Sequence, residues 1–176
     1  KCFVISEWGL RTDLERQGMT LVNEGDAGVV LIGVDRRVSY SELNHATRLV
    51  LNGAKLICVG TTMVFKGTFL GESGMFLGEA PFANAISMAT KAPITYIGKP
   101  YPEIFLQTIA SFGARLKDVI MLGDNLSSDI KGANAAGIES IFITKSVKFE
   151  PMKIPKEERP TFIARDLKEL NDIMFK

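Results

Sequence analysis

Residues 94–144 read ITYIGKPYPEIFLQTIASFGARLKDVIMLGDNLSSDIKGANAAGIESIFIT, and their order decides the fold. Ile94–Ile97 is a short apolar strand that runs into Gly98-Lys99-Pro100. Pro102–Gly113 has helical spacing, with Phe105, Ile109 and Phe112 expected to face inward. A second apolar strand, Val119–Leu122, ends in Gly123-Asp124-Asn125. Ser127–Ala136 is a helix that Gly137 stops, and Ser140–Ile143 a third strand. Strands that are apolar throughout, alternating with helices, predict an α/β fold with a parallel sheet.

The same rhythm extends toward the N-terminus. Lys1–Ile5, Ala27–Ile32 and Lys55–Val59 are buried-type strands. Ser6–Gly18 is a turn and helix, with Leu10 and Leu14 one turn apart. Ser39 and Glu42 have the spacing of a capping box, and the helix they open carries Leu43, Ala46 and Val50 on one face. Gly60–Glu79 is rich in glycine and threonine and fits a loop or short hairpin, and Pro81 suits the first turn of a helix to Thr90. Val147–Pro160, with three prolines, reads as an exposed loop, and Asp166–Met174 as a last helix. The expected division is 1–92 and 93–176.

The bulk numbers exclude several classes. The 176 residues suit one domain or two small ones, and a net charge of +1 offers no nucleic-acid or membrane surface. No apolar run approaches the ~20 residues of a membrane span. Cys2 and Cys58 have neither disulfide nor metal spacing, which fits a reduced, cytoplasmic chain. His45, the single histidine, fits a structural or solvated place, and Trp8 is expected to pack. The lysines of 145–156 fit a solvated loop.

Ligands of open α/β sheets bind beyond the carboxyl ends of the strands. Asp124 stands at such an end and Asp129 in the first turn of the next helix, so together they suit a hard cation or its waters. The N–H groups of Asn125, Leu126, Ser127 and Ser128 point where a phosphate would bind. Lys99, fixed before Pro100, brings an ammonium to the same rim, where it would offset phosphoryl charge. Each signal alone has a plain alternative: a turn aspartate, a dipole-complementing charge, a surface lysine.

Taken together, GKPYPEIF and GDNLSSDIKGANAAGI resemble the third and fourth motifs of haloacid dehalogenase phosphatases with large α/β caps, the para-nitrophenyl-phosphatase-like group. VVLIGVDRRVSYSELNHAT resembles that group's cap more loosely. The resemblance implies a Rossmann-like parallel sheet, the C-terminal part of a hydrolase core at 93–176, with an α/β cap at 1–92. It implies a Mg²⁺-dependent phosphomonoesterase acting on small phosphorylated metabolites. Asp124 and Asp129 would serve the metal; Lys99 would be catalytic and hold the phosphoryl group; Asn125 to Ser128 would touch substrate.

In that family an aspartate of a DxD motif is the nucleophile, and this sequence contains no DxD. Asp35 follows an apolar strand but continues Arg36-Arg37, so it fits a cap role. The nucleophile motif is expected upstream of Lys1, and the 176-residue chain is expected to be inactive alone. Val59-Gly60-Thr61-Thr62 stands where relatives carry Asn-Pro-Asp, which leaves the substrate open. A core sheet without its first strand would expose apolar surface, so a homodimer is a further expectation. The alternative is a truncated, non-catalytic binding or assembly module. A different Rossmann-like site is weaker, since GxxxxGK[ST] and GxGxxG are absent.

Overall fold

The computed structural model describes residues 1–145 and 153–174. They form two compact units, Lys1–Gly98 and Lys99–Lys176. The first holds β1 (Cys2–Ile5), α1 (Trp8–Arg16), β2 (Leu21–Val22), β3 (Val29–Ile32), α2 (Tyr40–Leu51) and β4 (Lys55–Cys58). It continues with β5 (Val64–Phe69), β6 (Glu72–Leu77), α3 (Ala80–Thr90) and β7 (Ile94–Tyr96). Five strands make one parallel sheet in the order β2-β1-β3-β4-β7.

Continuous apolar strands need cover on both faces. On one face Cys2, Val4 and Leu31 pack with Leu10 and Leu14 of α1. On the other, Phe3, Ile5, Val30, Ile32, Leu56 and Cys58 meet Ala46, Leu49 and Val50 of α2 and Ala83 and Ile86 of α3. The capping box forms as its spacing requires. Glu42 N donates to Ser39 Oγ at 3.2 Å, and Ser39 N donates to Glu42 Oε2 at 2.8 Å. Residues 60–79 resolve into an antiparallel hairpin of β5 and β6, turned at Leu70-Gly71, where both φ angles are positive.

The second unit holds α4 (Pro102–Ser111), β8 (Ile120–Gly123), α5 (Lys131–Ala136), β9 (Glu139–Ile143), β10 (Phe162–Ala164) and α6 (Leu167–Met174). Its three strands are parallel, in the order β10-β9-β8. β8 is an edge of this sheet. Phe105 and Ile109 of α4 pack with Ala133 and Ala136 of α5 and with Ile138.

The α/β class and parallel sheets stand as the sequence implies. The units divide after Gly98 rather than after Ala92, because β7 pairs with β4 through Leu56 opposite Ile94. Phe112 is 81% exposed instead of inward, because α4 ends at Ser111 and Phe112 is its cap. Trp8 is 80% exposed instead of packed, since Leu10 and Leu14 take the inner face of α1. The expected helix at Ser127 begins with a widened π turn, Leu126–Ile130, before α5. Of the expected loop 147–160, residues 147–152 lie outside the described residues, and Lys156–Glu158 is a short 3₁₀ turn. His45 meets the Phe3 ring edge-on at 4.8 Å, and its Nε2 is buried with no hydrogen-bond partner. No described helix is long and apolar enough to cross a membrane.

Candidate functional site

Lys99 lies in the turn that leads into α4, and Asp129 in the π turn after β8. Thirty positions apart, they meet: Lys99 Nζ donates to Asp129 Oδ1 at 2.8 Å. The Asp129 side chain is only 7% exposed and that of Lys99 50%. A carboxylate so buried needs several donors to hold its charge. Asp129 has them, because its Oδ2 also accepts from the backbone N–H of Asp124 and of Asn125, each at 3.2 Å. Both oxygens are thus committed within the protein.

Gly123 makes this possible. A Cβ there would lie 2.4 Å from Asp129 Cβ and 2.6 Å from its Oδ2, which no side chain tolerates. The bare backbone lets the carboxylate fold across the end of β8. Asn125 completes the turn as its cap, accepting from Ser128 N at 3.1 Å and Ser127 Oγ at 3.0 Å. Two of the four N–H groups expected to face a phosphate, those of Asn125 and Ser128, are therefore spent inside the turn.

The Asp124 carboxylate points elsewhere. It is about half exposed and pairs with the Lys145 ammonium, which follows β9 at the neighbouring strand end. That hydrogen bond, ahead of any other influence, holds the Asp124 carboxyl below its ordinary range. Sequence reasoning passed over Lys145 as one lysine of a solvated run. The signal that could have found it is its place just past the carboxyl end of a parallel strand, beside the strand that carries Asp124.

Among the described residues no three His, Cys, Asp or Glu side chains gather into a metal cage. The donors at hand are oxygens, which suits a hard cation that keeps water in its shell and takes few carboxylates. Asp35 belongs to the first unit, where its Oδ1 accepts from Arg37 N at 2.9 Å.

A family model described as HAD-hydrolase-like matches residues 96–170. Among curated proteins, an acid sugar phosphatase of Staphylococcus epidermidis is 30% identical over 165 residues, covering 94% of this chain and 62% of that protein. Among solved structures, a double mutant of the thermostable NPPase from Geobacillus stearothermophilus has a TM-score of 0.84 at 31% identity, covering 96% of this chain and 64% of that one. The glycerol phosphate phosphatase Rv1692 of Mycobacterium tuberculosis, crystallised with magnesium, shares the fold with a TM-score of 0.85 at 24% identity, covering 96% and 51%. The chain thus spans about three fifths of the length of the curated relatives it matches.

Proposed function

The chain belongs to the haloacid dehalogenase-like hydrolases, and on that footing we propose that it is the cap and C-terminal core of a Mg²⁺-dependent phosphatase of small phosphorylated metabolites. The observation that carries this is the Lys99–Asp129 bond, which joins the two motifs through a buried carboxylate. An ammonium carries three donor protons, one of which Asp129 takes. Lys99 would hold the phosphoryl group while charge builds on it. Asp129 is its positioning residue, and by drawing in the N–H groups of Asp124 and Asn125 it also fixes the start of the loop.

Asp124 is the carboxylate that would hold Mg²⁺, sharing its oxygens with Lys145. When bound, the cation would offset phosphoryl charge and polarise the ester. Asp129, which already accepts from Lys99 and two backbone N–H groups, would bind the cation or orient its waters. Leu126 and Ser127 offer the N–H groups left to meet substrate, with Asn125 and Ser128 shaping the turn. The nucleophile would be an aspartate of a DxD motif outside these 176 residues, since the sequence contains none. The open edge of β8 favours the same reading, because a further strand, from a longer chain or from a second copy, would pair there.

The test is hydrolysis of para-nitrophenyl phosphate with Mg²⁺. The 176-residue chain is expected to turn over nothing. A longer chain carrying a DxD strand upstream should be active and lose about 100-fold or more on Lys99→Ala. Activity of the short chain that survives Asp124→Ala would sink the proposal.

A further inference from the structure

The first unit has its own topological switch point. From β1 the chain crosses by α1 to β2 on one side, and from β3 by α2 to β4 on the other, so β1 and β3 are neighbours whose connections diverge. In open parallel sheets the crevice beyond the carboxyl ends of two such strands is where small molecules bind. A cavity of about 570 Å³ lies there, lined among others by Trp8, Arg11, Asp35, Arg36, Arg37 and Phe69. That volume is within the range of small-molecule sites.

Its walls are held firmly. Gly33 N donates to Ile5 O at 2.7 Å and Glu7 N to Val34 O at 2.9 Å, which continues the β1–β3 pairing past both strand ends. A Cβ on Gly33 would lie 2.7 Å from Ser6 Oγ, so the two loops touch without a side chain between them.

The charges in the cavity are nearly all spoken for. Glu7 takes Arg36 through both oxygens, at 2.5 and 3.0 Å. Glu42 is used by the N–H and hydroxyl of Ser39, at 2.8 and 2.6 Å. Asp35 takes the Arg37 backbone N–H, and Arg11 donates to Val4 O at 2.7 Å and Asn23 Oδ1 at 2.8 Å. The exception is the Arg37 guanidinium. It lies 5.8 Å from the Phe69 ring centroid, beside Arg36 at 5.2 Å, and no carboxylate of the described residues is within ion-pair distance of it. The three arginines of the lining are balanced in formal charge by Glu7, Asp35 and Glu42, and Arg37 is the guanidinium among them with no hydrogen bond or ion pair from the described residues to hold it. Trp8, 80% exposed, also lines the cavity and offers an aromatic ring to a partner.

We propose that this unit binds a small aromatic anion at the carboxyl ends of β1 and β3, with Arg37 taking the anionic group and Trp8 and Phe69 the ring. Its lining residues all belong to the first unit. Trp8 is the single tryptophan of the chain, so its fluorescence reports on this cavity directly.

The 176-residue chain is titrated with phenylphosphonate, which cannot be hydrolysed. A saturable change in Trp8 emission is expected. Methylphosphonate, lacking the ring, and benzyl alcohol, lacking the charge, should each bind at least about tenfold more weakly. Arg37→Gln should weaken phenylphosphonate, read by Trp8 emission, by about tenfold or more. Calorimetry on Trp8→Phe should show binding that persists with reduced affinity. The proposal is overturned if no probe binds or if Arg37→Gln binds as the parent does. It is also overturned if methylphosphonate matches phenylphosphonate. None of these outcomes depends on phosphatase activity, so failure here leaves the Lys99–Asp129 reading standing.

Discussion

The two sheets of this chain solve the same packing problem to different depths. The five-stranded sheet of residues 1–98 has apolar clusters on both faces and strands such as β3 and β4 whose inner residues are almost wholly buried. The three-stranded sheet of the second unit has a smaller cluster, an edge at β8, and large apolar residues left open at Leu122, Phe162 and Ile163. Each unit also buries two polar side chains, Ser6 and Glu79 in the first and Asp129 and Ser140 in the second. Ser140 is satisfied across the sheet, its N–H donating to Thr161 Oγ1 at 3.1 Å and its Oγ accepting from Thr161 N at 3.3 Å. The first sheet buries the larger apolar area. With a smaller apolar cluster, the second leans more on hydrogen bonds that must all be made, among them those that hold Asp129 against Lys99.

That contrast can be attacked at three strengths. The largest effect should come from Leu56→Ala on β4, an inner strand of the first sheet, where a residue 2% exposed leaves a cavity costing about 3 kcal/mol. Urea unfolding followed by amide signals should show the first unit weakened and the second unmoved. Equal losses in both would mean that the units unfold as one. Asp129→Ala comes next, at roughly 2 kcal/mol, because it strands the N–H groups of Asp124 and Asn125 while Lys99, half exposed, returns to water. Asp129→Asn should cost less, and a neutral result for Asp129→Ala would contradict the dependence on complete hydrogen bonding.

The smallest is Ser39→Ala in the first unit, about 1 kcal/mol through the lost cap. Here pH gives a second readout. The Glu42 carboxyl is held below its ordinary 4.5, mainly by the Ser39 hydroxyl and then by its N–H. A depressed carboxyl stabilises the fold above the unfolded value and loses that contribution as pH falls through the folded one. Ser39→Ala should therefore cost most above pH 4.5 and progressively less in more acidic solution. A cost that does not vary with pH would remove Glu42 from the account.

Much of the fold was legible because its signals are local. β1, β3 and β4 are unbroken apolar runs between turn residues, and Ser39 with Glu42 marks a helix start on spacing alone. β2 and β10 escaped because two and three residues give no period to read, and Phe162 and Ile163 are exposed although apolar. Trp8 and Phe112 misled for a related reason: hydrophobicity says that a residue gains from burial, while the helix face decides whether it is buried. The candidate site was legible as motifs and illegible as geometry. Lys99 and Asp129 could each be picked out, yet nothing in either segment says that one binds the other, or that Asp124 turns toward Lys145. Such pairings are set by which strand ends a parallel sheet brings side by side.

The bond between Lys99 and Asp129 also has a kinetic meaning. It closes a loop of thirty residues that contains α4 and β8, so it cannot form early or locally. Closing a loop of that size costs chain entropy that only the completed packing of α4 and α5 repays. A chain that has collapsed without threading this loop correctly would present Lys99 and Asp124 as ordinary surface charges. The Lys99–Asp129 pairing would then arrive last, as a readout of finished folding, and a half-folded molecule would lack it.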